Sequence, residues 1–295
     1  MQSSRRQFLA QVGKAVAGGT LLAGRPFELL ADPLDRPIGL QLYTVGQQLK
    51  EDFDGTLKKV AAIGYRVVET AGFFGKKPAE AKKALDDAGL KCLSLHIWSP
   101  GGIQETIPYA KELGAKYVIS SATFPHQHAQ DSLTLEDYKA LAEHCNQLGQ
   151  DAKAAGLQFG YHNHNFEFKP LAGGIGYEEL LKSTDPSLVK FELDCGWMAA
   201  AGHDPAEYLA KYPDRYRLLH IKDSKPTPQP SYSLAKDGRP APAELGRGHI
   251  DYKPIFAAAA KSQVEQYFVE QEPPFVEMPA LEAIKVDYDY LHRMS

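Results

Sequence analysis

From Asp32 onward the 295-residue chain alternates short apolar runs with amphipathic stretches. The repeat is roughly 25 to 40 residues, the spacing of strand-helix units. The strands are expected at 38–43, 66–70, 91–97, 117–121, 158–162, 189–194, 217–221 and 267–270. Helical periodicity follows each of them, over 53–63, 78–88, 103–113, 135–155, 177–181, 205–211, 252–261 and 279–293, with Gly89 and Gly114 as stop signals. Eight such units with no change of composition between them predict an α/β fold, a single closed (β/α)8 TIM barrel over 32–295. An open doubly wound sheet would need a Gly-rich phosphate turn after the first strand, and Tyr43-Thr44-Val45-Gly46 is not one. The Pro-rich connection 225–251 is too long for scaffold wiring and reads as a functional loop.

Four of the runs end in residues able to bind a metal. QFGYHNHNFEF carries His162, His164 and Glu167; VKFELDCGW carries Glu192 and Asp194; YRLLHIKDS carries His220 and Asp223; QYFVEQEPP carries Glu270 and Glu272. A strand covered on both faces should be apolar throughout, so charge repeated at the same end of four strands is costly unless something there binds it. A divalent cation does that, and the C-terminal strand ends are where a barrel builds its active site. Side chains two apart share a face of a strand. That rule pairs Glu192 with Asp194, Glu270 with Glu272 and, if the strand runs that far, His162 with His164. One member of each pair plus His220 makes two imidazoles and two carboxylates, a mixed set suited to Mn, Zn, Co or Fe(II), with the choice among them open.

Composition sets limits on partners. With 43% apolar and 24% charged residues the chain is ordinary for a globular protein, and a net charge of -4 without a long basic run gives no footprint for nucleic acid. Residues 4–9, SRRQFL, form a twin-arginine pattern, followed by a mildly apolar run over 12–22 whose sole charge is Lys14. The run is too short to span a membrane, so 1–31 is expected to be an export signal that takes the barrel to the periplasm or cell envelope, with no transmembrane span in the mature domain. Cys92, Cys145 and Cys195 are too few and too scattered for a disulfide framework.

The motifs LQLYTV, YHNHNFEF, ELDCGW, AGHDP (201–205), HIKD, ELGRGHIDY and VEQE together resemble the sugar isomerase/epimerase family with the xylose-isomerase-like barrel, which also holds inosose dehydratases and endonuclease IV. The resemblance runs from about Ile38 to the end. It implies one divalent ion (Mn, Zn, Co, Fe or Mg) held by one residue from each of the last four strands, here His162, Asp194, His220 and Glu270. The first is a departure: many epimerases of the family carry Glu there, while YHNH is closer to the dehydratases, and which of His162 and His164 is the ligand stays open. Abstraction of a proton beside a carbonyl fits such a site. Glu270 is the first candidate base, with Glu69 in VVETAG and His96 in LSLHIW as further acid/base candidates. His164, Lys222, Arg247 and His249 are candidates for binding substrate, Arg247 by its bidentate fork, and Trp98 and Trp197 for platforms under a sugar face. His126 and His128 are expected at the rim.

The first reading is therefore a metal-dependent isomerase or epimerase of an unphosphorylated sugar, working through an enediolate, with a small carbohydrate as its partner and a homo-oligomer allowed by family habit. The alternative is a lyase or dehydratase acting by β-elimination on a keto-sugar, keto-glycoside or inosose; an isomer keeps its mass and a lyase expels a group. A nuclease resembling endonuclease IV would need three metals and a basic face, yet Trp197 stands where that family places a His, and GHIDY lacks its Asp-x-His pair. A barrel that only binds sugar would need no metal.

Overall fold

A computed structural model describes residues 33–98, 102–121 and 132–294. The segment expected to be an export signal, and His126 and His128, expected at the rim, lie outside those residues. The eight barrel strands are β1 (Gly39–Gln41), β2 (Val67–Thr70), β3 (Lys91–His96), β4 (Tyr117–Ser120), β5 (Gln158–His162), β6 (Val189–Asp194), β7 (Tyr216–Ile221) and β8 (Gln266–Val269). All neighbours pair in parallel, and β1 closes the cylinder by pairing with both β2 and β8. The predicted (β/α)8 barrel is thus the observed fold.

Strand ends differ from expectation in informative ways. β1 stops at Gln41 because Leu42–Val45 turns into a 3-10 helix, capped by the Gln41 side chain accepting from the Tyr43 N–H. β5 stops at His162, so His164 is presented by the following turn rather than by the strand face. Two short helices, Gly46–Glu51 and Cys195–Ala200, were not anticipated. Cys195–Ala200 follows its strand directly and Gly46–Glu51 follows the 3-10 turn Leu42–Val45, so in both places the preceding apolar run masks the helical period.

Inward-facing positions build the cylinder in layers, as in other barrels of this kind. The floor is apolar: Tyr117, Ile119, Leu218 and Phe268 form a core of their own, separate from the larger core between strands and outer helices. Two inward glycines make room for it. A Cβ on Gly39 would lie 2.6 Å from the Phe268 ring, and one on Gly160 would lie 2.7 Å from Ile119 Cδ1. Two residues further along each strand the interior turns polar: Leu218 is followed by His220, Phe268 by Glu270, Gly160 by His162. The apolar floor therefore carries a charged layer at the C-terminal mouth.

Candidate active site

Register brings the charged layer together. Gln41 pairs with Glu69 and Glu69 with Ser94, while His162 pairs with Glu192 and Asp194 with His220. The ladder slips by one residue at Val68/Glu69 and at Phe191/Glu192. Such irregularities re-aim side chains, and both occur at an inward carboxylate.

Glu69 is fully enclosed. It accepts from Gln41 Nε2 at 2.6 Å and from the Ser94 hydroxyl, and His220 Nε2 and His96 Nε2 approach it at 2.7 and 3.0 Å. Glu192 is the second enclosed acid, with His96 Nε2 at 3.0 Å, His162 Nδ1 at 3.1 Å and His220 Nε2 at 3.3 Å from its Oε2. Sequence reasoning weighed Glu192 only as a partner of Asp194; both in fact face inward, as their spacing allows.

Asp194 has two tasks. Its Oδ1 accepts from the Trp197 N–H at 2.7 Å and starts the helix Cys195–Ala200. Its Oδ2 points into the site, 3.7 Å from both His162 Nε2 and His220 Nδ1. Asn163 holds the two strand ends in place, accepting from the Asp194 N–H at 3.0 Å and donating to its carbonyl at 3.3 Å. Glu270, just past β8, lies 3.2 Å from His220 Nδ1. Lys222 extends its ammonium among the acids, 2.5 Å from Glu270, 2.8 Å from Asp194 and 3.1 Å from Glu272.

Two groups of donors lie close enough to share an ion, all ligand atoms within 4.8 Å of one another: Asp194, His220 and Glu270, and separately His96, His162, Glu192 and His220. Of the four expected ligands, three meet in the first group, and His162 belongs to the second while its Nε2 still faces Asp194. His220 joins the two through its opposite ring nitrogens. The donor set fits a metal on a further observation: Asp194 Oδ2 and Glu192 Oε1 are buried yet accept no well-formed hydrogen bond. Buried carboxylate oxygens are costly in that state, and Lys222 offsets only part of it as a nearby charge.

The charge states follow from these contacts. Burial raises the Glu192 and Asp194 carboxyls, Glu192 further through the charge of Glu69. Burial opposes ionisation of Glu69 and Glu270 too, but His96 and His220 around the first, and Lys222 and His220 around the second, hold both below the usual carboxylate range. His96, despite burial, is raised to about 10 by Glu69 and Glu192. Burial and the charge of His220 keep His162 well below its ordinary value. A neutral imidazole is the form that binds metal.

Above this layer opens a pocket of about 200 Å³, lined by Gln41, Tyr43, His96, His162, His164 and Glu270 among others. His164 reaches it from the turn after β5, and its Nδ1 is buried without a partner. Other candidates lie elsewhere. Glu69 is sealed beneath the pocket and does not line it. Trp98 is half-buried in an aromatic cluster, its ring 4.9 Å from Phe73 and 5.1 Å from Tyr109. Trp197 donates from Nε1 to Glu272 at 3.1 Å, with the Lys222 ammonium 5.1 Å over its ring, so it orients those two groups. Arg247 and His249 are exposed on the long loop, Arg247 paired with Glu277 at 3.2 Å and His249 Nδ1 set against the Ser224 carbonyl at 2.8 Å. Glu167 turns away to accept from the Tyr161 hydroxyl and the His164 N–H, both at 2.9 Å. Sequence reasoning missed Gln41 and Ser94, which hold Glu69; an amide inside the run LQLYT was the available signal for Gln41.

The sequence pattern of the xylose isomerase-like TIM barrels matches residues 57–292. This chain belongs to that family. An inosose dehydratase of Clostridium botulinum (strain Alaska E43 / Type E3) is 26% identical over 267 residues, 79% of this chain and 87% of that one. The crystal structure of a sugar phosphate isomerase/epimerase from Parabacteroides distasonis ATCC 8503 matches with a TM-score of 0.71 at 29% identity, covering 86% of this chain and 96% of the other. An IOLI protein crystallised with a zinc atom shares the fold at 17% identity, with a TM-score of 0.63 over 86% of this chain and 96% of that one. Xylose isomerase-like barrels thus include both isomerases or epimerases and dehydratases among the relatives of this chain.

Proposed function

We propose that this barrel is a divalent-metal-dependent isomerase or epimerase of an unphosphorylated sugar, acting by removal of the proton next to a carbonyl. The observation that carries the reading is the convergence of Asp194, His220 and Glu270 on one point at the floor of a sugar-sized pocket, beside an enclosed pair of acids and three further imidazoles. Asp194, His220 and Glu270, with His162 facing Asp194, are the residues that would hold the ion. A divalent cation bound there supplies Lewis-acid polarisation of the carbonyl and its neighbouring hydroxyl. Glu270, held ionised by Lys222 and His220, is the base that takes the α proton. His96, kept protonated by Glu69 and Glu192 and lining the pocket, returns a proton to the substrate. His164 and Lys222 orient the sugar hydroxyls.

A second reading, β-elimination, is favoured by two observations. An inosose dehydratase is 26% identical over 79% of the chain, and the Lys222 ammonium, 2.5 Å from the proposed base, is a cation placed to stabilise the charge of a leaving hydroxyl or glycosidic oxygen. Incubation of metal-loaded protein in D2O with free sugars, keto-glycosides and inososes separates the readings by mass spectrometry. Deuterium next to the carbonyl with the skeleton retained supports isomerisation, loss of water or an aglycone supports elimination, and neither exchange nor mass loss with any of them sinks both. The twin-arginine pattern supports export to the periplasm or cell envelope; a reporter fused after residue 31 and lost from the periplasm when Arg5 and Arg6 become Lys tests it.

A further inference from the structure

Beside the catalytic pocket lies a second groove of about 490 Å³, open at the barrel mouth and lined by Tyr43, Gly46, Gln47, Lys50, Gly72 and Phe74 among others. The two share Tyr43 and Ala71 as a common wall. The groove follows from the strand order: β1 sits between β2 and β8, so the turns after these three strands meet, bringing Tyr43, Phe74 and Pro273 to one sector.

Its chemistry is unusual for a protein surface. Tyr43 and Phe74 are 52% and 48% exposed, and with Val276 they make up the exposed large hydrophobics among the described residues. Phe74 is held at φ 50°, in the left-handed region that a non-glycine residue rarely adopts. Strain of that kind persists where the surroundings impose it and clusters at ligand sites. Phe53, 6.4 Å away, backs the Phe74 ring on one side. Opposite, Gly46 leaves the floor open: a Cβ there would meet only Phe74 Cζ, at 3.9 Å. Gln47 and Lys50 add polar groups at the edge, giving aromatic faces with a few directional partners, the usual make-up of a small-molecule site.

Size argues for a ligand with two parts. The catalytic pocket alone, at about 200 Å³, falls below the range of roughly 300–1,000 Å³ common for ligand pockets; joined to the groove it falls inside. The groove's two exposed rings, at roughly 150–250 Å² each, are also short of the roughly 800 Å² per partner of a stable protein interface. We propose that the substrate is a glycoside, its reacting ring in the catalytic pocket and its second ring in the groove between Tyr43 and Phe74. The proposal rests on the mouth being a carbohydrate site.

Saturation-transfer NMR and titration with glucose- and galactose-containing disaccharides, alongside free glucose and galactose, test it on the full chain. At least one disaccharide should bind tenfold or more tightly than its free hexose, with saturation transferred to both rings. Phe74→Ala and, independently, Gly46→Phe should each bring that disaccharide to the affinity of the hexose while leaving hexose binding unchanged. Gly46 has φ -59° and ψ -35°, so the added side chain fills the groove without backbone strain. Disaccharides that bind no better than hexoses, or variants that weaken both alike, overturn the proposal. So does a dimer that Phe74→Ala converts to monomer. Isotope exchange keeps the two claims apart: two-ring binding without exchange on any sugar removes the chemistry and leaves the groove, whereas exchange on a free hexose without disaccharide preference removes the groove alone.

Discussion

Glu69 illustrates how position in the layer decides a role. Its sequence context, an acid ending a strand, fits a general base, but the side chain is sealed beneath the pocket with Gln41, Ser94, His96 and His220 around it. From there it acts on substrate only through the imidazoles it holds. Residues that orient a metal-binding His cost about 10–100-fold in metal affinity when altered. Glu69→Gln should therefore weaken divalent metal binding by about that factor, read by competition with a chromophoric chelator. Unchanged metal affinity together with a collapsed exchange rate would instead make Glu69 a base in its own right. Asp194→Asn is the sharper case, since Oδ1 caps a helix and Oδ2 faces the site. The amide can keep the cap while removing the ligand charge, so metal content after dialysis should fall to background with little change in the circular dichroism spectrum.

The strand-helix units were legible because each strand is an apolar run and each helix an amphipathic one, and the mouth was legible because charge recurs at the same end of the last four strands. Register was not, because slips such as those at Glu69 and Glu192 depend on how neighbouring strands pack. Nor was the loop after β7. Its length marked it as functional, and Arg247 and His249 were natural ligands for a substrate, yet both are turned outward by a device that only the fold reveals. The Asp223 carboxylate accepts from five backbone N–H groups, those of Ser224, Gly246, Gly248, His249 and Ile250, at 2.9 to 3.2 Å. Asp223→Asn would set an amide donor against two of those N–H groups, and hydrogen bonds to a charged acceptor contribute about 1.5–3 kcal/mol each. The expected loss is on the order of 3 kcal/mol, appearing as faster hydrogen exchange and proteolysis confined to 225–250. Gly248→Ala should do the same, since its Cβ would lie 2.0 Å from Asp223 Oδ1. Protection of the loop unchanged in both variants would show that its order comes from elsewhere.

Closure of the cylinder is what makes the site, because the charged layer draws on six of the eight strands and none of its groups meets another in the unfolded chain. Metal binding at this layer would then be linked to folding: removal by chelation should lower Tm, and raising the free ion to 100 times its Kd should restore about 2.7 kcal/mol. The last outer helix, Ala280–His292, carries a second linkage, to protons. Asp287 on that helix is buried and accepts from the Leu245 N–H at 2.7 Å. Burial, reinforced by the charges of Glu244 and Asp223, pushes its carboxyl up to about 8 from an ordinary 3.8. The folded state therefore binds this proton more tightly than the unfolded state. Its contribution to stability is fully present below about pH 4 and is lost as pH rises toward 8. Asp287→Asn keeps an acceptor for Leu245 without a charge to bury, so its stability relative to wild type should be lowest near pH 4 and climb across that window. By pH 8 the gain should reach about 2 kcal/mol or more, and since every other titrating group is common to both proteins, the difference isolates Asp287. Denaturant curves at pH 4, 6 and 8 decide it: parallel profiles for the two proteins would mean that the carboxyl finds a partner or water in its ionised form, and the helix would then pack at no pH-dependent cost.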